Sequence, residues 1–278
     1  MSSPLSLGYS PCPNDTFIFY ALTHGRIALP GIRISERLAD VETLNQLALA
    51  GVLDLTKVSY HAFGHLRDEY LLLRSGGALG RGCGPLVVAP QALAMADLKG
   101  RRIAIPGRLT TANLLLQLYG EGFEELLILP FEQVMPAVLR GEAAAGVIIH
   151  ESRFTFHQLG LHQVLDLGAW WEAETGLPIP LGGILARREL GPELIQQLEG
   201  ALTASIDYAY AHPMEPRSYI KRHSQELADA VIDQHIDLYV NDFSRTLGPE
   251  GERAVTELLR RAEARGIIPT SPQSLFCN

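Results

Sequence analysis

The chain has 278 residues and a mass of 30.4 kDa, room for about two domains at the usual ~150 residues each. Apolar residues make up 47% and charged residues 19%, so a sizeable core can be buried without disulfides or metals, and disorder is excluded as the main state. Twenty-three Lys and Arg against thirty-one Asp and Glu leave a net charge of −8, the wrong sign for gripping a phosphate backbone, which argues against a nucleic-acid partner.

The first stretch, Met1 to Leu7, lacks a basic segment followed by an apolar run and a small-residue cleavage site, so a cytoplasmic protein is expected. Leu5 to Tyr9 predicts a strand, and the prolines of Ser10-Pro11-Cys12-Pro13 lead into a helix from about Asp15 to His24, with Asn14 as its expected cap. Ile32 to Leu38 alternates apolar and polar residues like a half-buried strand. Asp40 then caps a helix to about Ala50, and Gly51 stops it. A strand at Leu55 to Val58, a short helix near Ala62, a strand at Tyr70 to Leu73, a glycine-rich loop and a strand at Leu86 to Ala89 complete a first unit.

A second unit repeats the pattern: strand Arg102 to Ile105, helix Thr111 to Tyr119, strand Leu126 to Leu129, helix Val134 to Arg140 and strand Ala145 to Ile149. Strands near Val164 to Leu167 and Gly183 to Ala186 follow. The rest reads as helices only, at Pro192 to Ala211, Pro216 to His223, Leu227 to Asp242 and Pro249 to Arg265. Alternation of this kind predicts an α/β protein with mainly parallel sheets flanked by helices. The simplest path leaves the first lobe at Pro85 to Pro90 and returns at Ile184 to Arg188. That makes residues 1–89 plus 187–278 one lobe, residues 90–186 an inserted lobe, and two crossing strands a hinge. No apolar run approaches the ~20 residues of a bilayer span. Cys12, Cys83 and Cys277 are widely spaced and form no C-x-x-C pair, so reduced thiols are expected.

In open parallel sheets ligands sit beyond the carboxyl ends of strands, at loops and helix starts. Pro13-Asn14-Asp15-Thr16 and Gly107 to Ala112 occupy such points. Unpaired N–H groups there favour an anion, although plain helix capping accounts for either segment alone. Gly146-Val147-Ile148-Ile149-His150 is an apolar strand delivering a histidine at its end, a natural proton acceptor near neutral pH; a structurally hydrogen-bonded histidine is the alternative. Glu151 and Arg153 either pair with each other or orient His150. His61 and His65 have i, i+4 spacing but lack the glutamate of a zincin, so no metal site is expected. Cys12, between prolines at a helix start, is either an activated thiolate or buried and inert. The loop Gly76 to Gly84 resembles a phosphate cradle in composition only and is expected to be an irregular connection. Trp170 and Trp171 are expected to open a short helix and serve packing.

Ser10-Pro11-Cys12-Pro13-Asn14-Asp15-Thr16-Phe17 resembles the N-terminal signature of the 1,4-dihydroxy-6-naphthoate synthase family, enzymes of the futalosine route to menaquinone. Asp40 to Asn45, Leu55 to Tyr60, Arg74 to Gly82, Thr110-Thr111-Ala112, Ile148 to Phe154 and Gly176-Leu177-Pro178 resemble that family in the same order, so the likeness spans nearly the whole chain. It implies the two-lobed fold of type II periplasmic binding proteins and a cofactor-independent, lyase-like conversion of cyclic dehypoxanthinylfutalosine to 1,4-dihydroxy-6-naphthoate. It also implies His150 as proton acceptor and Asn45, Lys57, Val58, Ser59, Thr111 and Ala112 as substrate contacts; Cys12 receives no role. A small-molecule carboxylate in the interlobe cleft is the expected partner, held either at Thr111 and Ala112 or by Lys57 to Ser59. No membrane or obligate protein partner is indicated. The rivals are a chorismate dehydratase of the same pathway and fold, and a non-catalytic solute-binding protein, since a fold does not fix a function.

Overall fold

The computed structural model describes residues 4–224 and 228–277. Its first sheet grows from β1 (Leu5–Tyr9), whose Leu7 and Tyr9 are fully buried. Helix α1 (Pro13–Thr23) follows, with proline at its start, where the missing N–H is lost at no cost. Next come β2 (Ile34–Leu38) and α2 (Val41–Leu49). Asp40 caps α2 as its sequence position demands, accepting from the amides of Glu42 and Thr43, each at 3.0 Å. Strand β3 (Leu55–Ser59), α3 (Tyr60–Leu66), β4 (Tyr70–Leu72) and β5 (Ala78–Gly80) complete this part of the chain. The glycine-rich segment expected to be irregular therefore contains a strand, because β5 pairs with a later strand that the local sequence does not reveal.

The second sheet contains β6 (Leu86–Ala89), β7 (Ile103–Ile105), β8 (Leu126–Ile128), β9 (Ala145–Ile148) and β10 (His162–Asp166). Helices α4 (Thr111–Tyr119), α5 (Phe131–Leu139) and α6 (Ser152–Thr155) connect them. After α7 (Leu167–Thr175), β11 (Ile179–Arg187) returns to the first sheet. The chain closes with α8 (Pro192–Ala211), α9 (Arg217–His223), α10 (Asp229–Tyr239), α11 (Asp242–Arg245) and α12 (Gly248–Ala264). Leu227, expected to begin α10, lies outside the described residues, as do the chain ends Met1 and Asn278. Asn241 caps the short α11 and ends the preceding helix earlier than the sequence predicts.

Both sheets are mixed rather than mainly parallel. The first runs β2-β1-β3-β11-β4, with β5 also on β11. Strands β1, β2 and β3 are parallel, but β11 enters from the other half of the molecule and runs antiparallel to β3, β4 and β5. The second runs β10-β6-β9-β7-β8, parallel at β7, β8 and β9 and antiparallel at β6 and β10. The hydrogen bonding also relocates the crossings. Boundaries at 89/90 and 186/187 would leave β6 with the first sheet and β11 with the second, whereas each pairs with the opposite one. The chain therefore crosses at Arg81–Pro85 and again through α7. Gly84 and Gly168 meet there so closely that a Cβ on Gly84 would lie 2.3 Å from the Gly168 Cα.

The terminal helices cover the first sheet. Helix α8 lies on α1, where the buried Ser205 hydroxyl donates to Ile18 O at 2.6 Å and accepts from the Leu22 amide at 3.1 Å. Helix α10 also packs on α1, while α12 packs on α3 and β11. Trp171 is fully buried and donates its indole N–H to Pro178 O at 3.1 Å, the packing role expected for the tryptophan pair. No described helix is long and apolar enough to cross a membrane.

Candidate active site

A cleft lies between the two sheets, the kind of place where small-molecule ligands are bound. The first-sheet side contributes Ser10, Asp15, Lys57 and Ser59; the second contributes Thr111, Ala112 and His150, and Tyr239 of α10 closes one wall. Cross-cleft bonds draw the halves together. The Leu109 amide donates to the Glu42 carboxylate, with 3.1 Å to Oε2, and His61 Nδ1 lies 3.2 Å from Thr110 O. The Thr111 hydroxyl accepts from the Tyr60 amide at 3.0 Å and donates to Leu181 O at 2.5 Å.

Strand geometry sorts the β3 residues. Successive side chains point to opposite faces, so Lys57 and Ser59 line the cleft while Val58 is fully buried in the core behind it. Val58, expected at the ligand, therefore packs instead. Asn45 also stays off the cleft wall. Its Oδ1 accepts from the Ser59 amide at 2.9 Å, and its Nδ2 donates to Ser59 Oγ at 3.3 Å and Leu109 O at 3.4 Å. This side chain ties the end of β3 to the loop entering α4. The Lys57 ammonium is buried on Asp15 Oδ1 at 2.8 Å and reaches Gly76 O at 3.4 Å.

Thr110 caps α4, accepting from the Asn113 amide at 3.3 Å. The amides of Thr111 and Ala112, the first two of the helix, have no intrahelical acceptor, and both residues line the cleft. Asn14, expected to cap α1, lies inside that helix; Cys12 is the N-cap and makes no side-chain capping bond. The helix reaches two residues further back than predicted because Pro13 is preorganised for its first turn.

His150 follows β9 at φ +55°, the sole described non-glycine residue in the left-handed region. Such a conformation costs about 1–2 kcal/mol and persists only where its surroundings fix it. Phe131 approaches the ring edge-on at 5.1 Å between centroids, His235 lies parallel to it at 6.1 Å, and Cys12 Sγ sits 3.6 Å from Nδ1. Burial lowers the His150 pKa, while the negative charges of Glu151 and Asp15 oppose that shift. The imidazole is therefore held neutral with carboxylates placed to favour it once protonated. Burial pushes the Cys12 thiol up, which favours the buried, protonated thiol over the activated thiolate. The expected Glu151–Arg153 pair does not form. Arg153 instead donates to Asp166 Oδ2 at 2.9 Å and to Gly84 O, bracing the His150 loop against both crossings. His61 is committed to Thr110 O, and burial lowers its pKa to about 4. Sequence reasoning missed His235 and Tyr239; their i, i+4 spacing on one face of α10 is the signal that was available.

A family model described as menaquinone biosynthesis matches residues 5–264. The chain belongs to this family. It is 57% identical to the 1,4-dihydroxy-6-naphthoate synthase of Thermus thermophilus, over 98% of each chain. It is 47% identical to the enzyme of the same name from Streptomyces coelicolor, over 95% of each. Among solved structures, a protein from Archaeoglobus fulgidus superposes with a TM-score of 0.90 at 38% identity, covering 95% of this chain and 98% of that one. The alkanesulfonate-binding protein of Xanthomonas axonopodis superposes with a TM-score of 0.72 at 18% identity, covering 97% of this chain and 95% of that one. At that identity the likeness is one of fold, the periplasmic-binding-protein fold of two α/β halves around a ligand cleft.

Proposed function

We propose that this chain is a cytoplasmic 1,4-dihydroxy-6-naphthoate synthase that converts cyclic dehypoxanthinylfutalosine with His150 as proton acceptor. The observation that carries the reading is an imidazole at the end of β9 facing a cleft whose other wall is a helix N-terminus, with burial favouring its neutral form. A carboxylate fits that helix start. Lys57 is already committed to Asp15, and the Thr111 hydroxyl to Leu181 O. The donors left for substrate include the Thr111 and Ala112 amides, the Tyr239 hydroxyl and the Ser59 hydroxyl, whose oxygen accepts from Asn45. The carboxylate is therefore assigned to α4, with Ser59 beside it, and Lys57 supplies a fixed positive charge behind them.

His150 then removes a proton from the non-aromatic carbon framework. The electron pair of that C–H bond becomes ring π density as the bond to the sugar-derived portion breaks, and the imidazolium returns its proton to the expelled fragment. Protons balance, and aromatisation drives the step. Glu151 favours the transient imidazolium most, while the Lys57 charge opposes the contribution of its partner Asp15, so the preorganised field at the ring comes chiefly from Glu151. Incubating purified protein with the cyclic futalosine derivative should yield the naphthoate by mass spectrometry. Absence of product from folded protein would sink the proposal.

A further inference from the structure

A second, smaller cavity lies behind His150. Cys12 and His235 flank the His150 ring yet line this cavity and not the cleft, whereas His150 lines the cleft and not this cavity. Phe131 and Glu151 complete its wall near the ring. The cavity offers about 20 Å3 to the centre of a water molecule, against the roughly 10–15 Å3 that one water needs.

The hydrogen-bond inventory at this cavity is incomplete in one specific way. The Asn14 Nδ2 donates to Asp15 Oδ1 at 2.9 Å, which fixes Asn14 Oδ1 as an acceptor. His235 Nε2, 3.0 Å from that oxygen, is therefore the protonated nitrogen. Its Nδ1 is a bare acceptor, buried and unpartnered, in a side chain only 1% exposed. Glu151 Oε2 is likewise a buried, unpartnered acceptor. Burying such a group without a partner is destabilising, so each calls for a donor. The cavity wall also carries the Ser224 hydroxyl and the Cys12 thiol, which contacts His150; burial keeps that thiol protonated, and it therefore has one hydrogen to donate.

We propose that this cavity is a water site bridging Cys12, Glu151 and His235, and that Cys12 is a positioning residue that fixes His150 as the Nδ1–H tautomer. The water donates its two hydrogens to Glu151 Oε2 and His235 Nδ1 and accepts the Cys12 S–H. With its hydrogen turned to the water, Sγ presents lone pairs to His150, which donates from Nδ1 across the 3.6 Å contact. The lone pair of His150 is then on Nε2, the nitrogen left for the cleft. Without the water, S–H is free to donate to Nδ1, and the base nitrogen would carry the proton instead. Only the catalytic consequence rests on the reading of His150 as the base; the tautomer and the water do not.

Long-range proton–nitrogen correlation spectra of histidine-labelled protein without substrate read the tautomer directly, with His150→Asn giving the assignment. The expected result is Nδ1–H in the parent protein. Cys12→Ser keeps one donor and one acceptor and should keep both this tautomer and kcat within about threefold. Cys12→Ala should shift His150 towards Nε2–H and lower kcat at least about tenfold, as a misassigned tautomer does in other histidine bases, with KM within about twofold. A crystal structure of the parent protein should show one ordered water within hydrogen-bonding distance of Cys12, Glu151 and His235. Nε2–H in the parent protein, an unchanged His150 signal in Cys12→Ala, or a dry cavity would each overturn the proposal. Should the protein fail to produce the naphthoate while the tautomer still depends on Cys12, the reaction assignment fails and the positioning assignment stands.

Discussion

Asp15→Asn and Lys57→Met remove opposite halves of one buried ion pair, and the structure predicts unequal consequences. Both side chains are almost fully buried, at 2% and 7% exposure. Asp15 has three other donors: the Ser10 amide at 3.1 Å, the Ser10 hydroxyl at 2.7 Å and the Asn14 amide at 2.9 Å. Lys57 keeps only the long contact to Gly76 O at 3.4 Å. Removing one partner of a buried pair costs about 3–5 kcal/mol because the other charge is stranded, and each hydrogen bond to a charge recovers part of that loss. Asp15→Asn should therefore fall in that upper range, while Lys57→Met, whose orphaned carboxylate remains solvated by protein, should cost about 1–3 kcal/mol. With a urea slope of ~3 kcal/mol/M, the midpoints fall by about 1–1.7 M for Asp15→Asn and by no more than ~1 M for Lys57→Met. Equal shifts, or a larger one for Lys57→Met, would refute the claim that the carboxylate is the better supported half.

Thr111→Val should destabilise by about 1–3 kcal/mol, measured by chemical denaturation, because it strands the Tyr60 amide and the Leu181 carbonyl that the hydroxyl joins. Gly84→Ala should lower the melting temperature, since its Cβ would sit 2.3 Å from the Gly168 backbone, whereas Gly200→Ala, inside α8 with nothing within 4 Å, should gain about 0.5–1 kcal/mol; calorimetry on the two variants should show opposite signs. Burial lowers the His61 pKa from 6.5 to about 4, so between those values the unfolded chain binds a proton that the folded chain refuses. Stability should therefore fall as pH drops from about 6.5 towards 4, and the urea midpoint of a His61→Asn variant should fall less steeply over that window.

The core and most helices were legible because their signals are local. Asp40 and Gly51 bracket α2, and Thr110 with its apolar 3.6-residue period gives α4 at its observed limits. Sheet direction was less legible, since nothing within Ile179–Arg187 says that β11 must run against β3, or that β5 waits to pair with it. The lobe crossings were misplaced for the same reason: β6 and β11 are continuous apolar strands that either sheet could have accepted. At the site, His150, Lys57, Ser59, Thr111 and Ala112 line one cleft from distant segments, whereas Asn45 and Val58 do not line it. Alternation along β3 would have excluded Val58. Asn45 needed the third dimension, because its partners Ser59 and Leu109 lie fourteen and sixty-four residues away.

If His150 accepts the proton in an elimination at the interlobe cleft, turnover measured beside binding in His150→Asn separates chemistry from recognition. The variant should bind the cyclic futalosine derivative with an affinity near that of the parent protein, because the Thr111 and Ala112 amides are untouched, while naphthoate formation falls by at least ~100-fold. Near-normal product formation by a folded His150→Asn protein would rule out His150 as the proton acceptor.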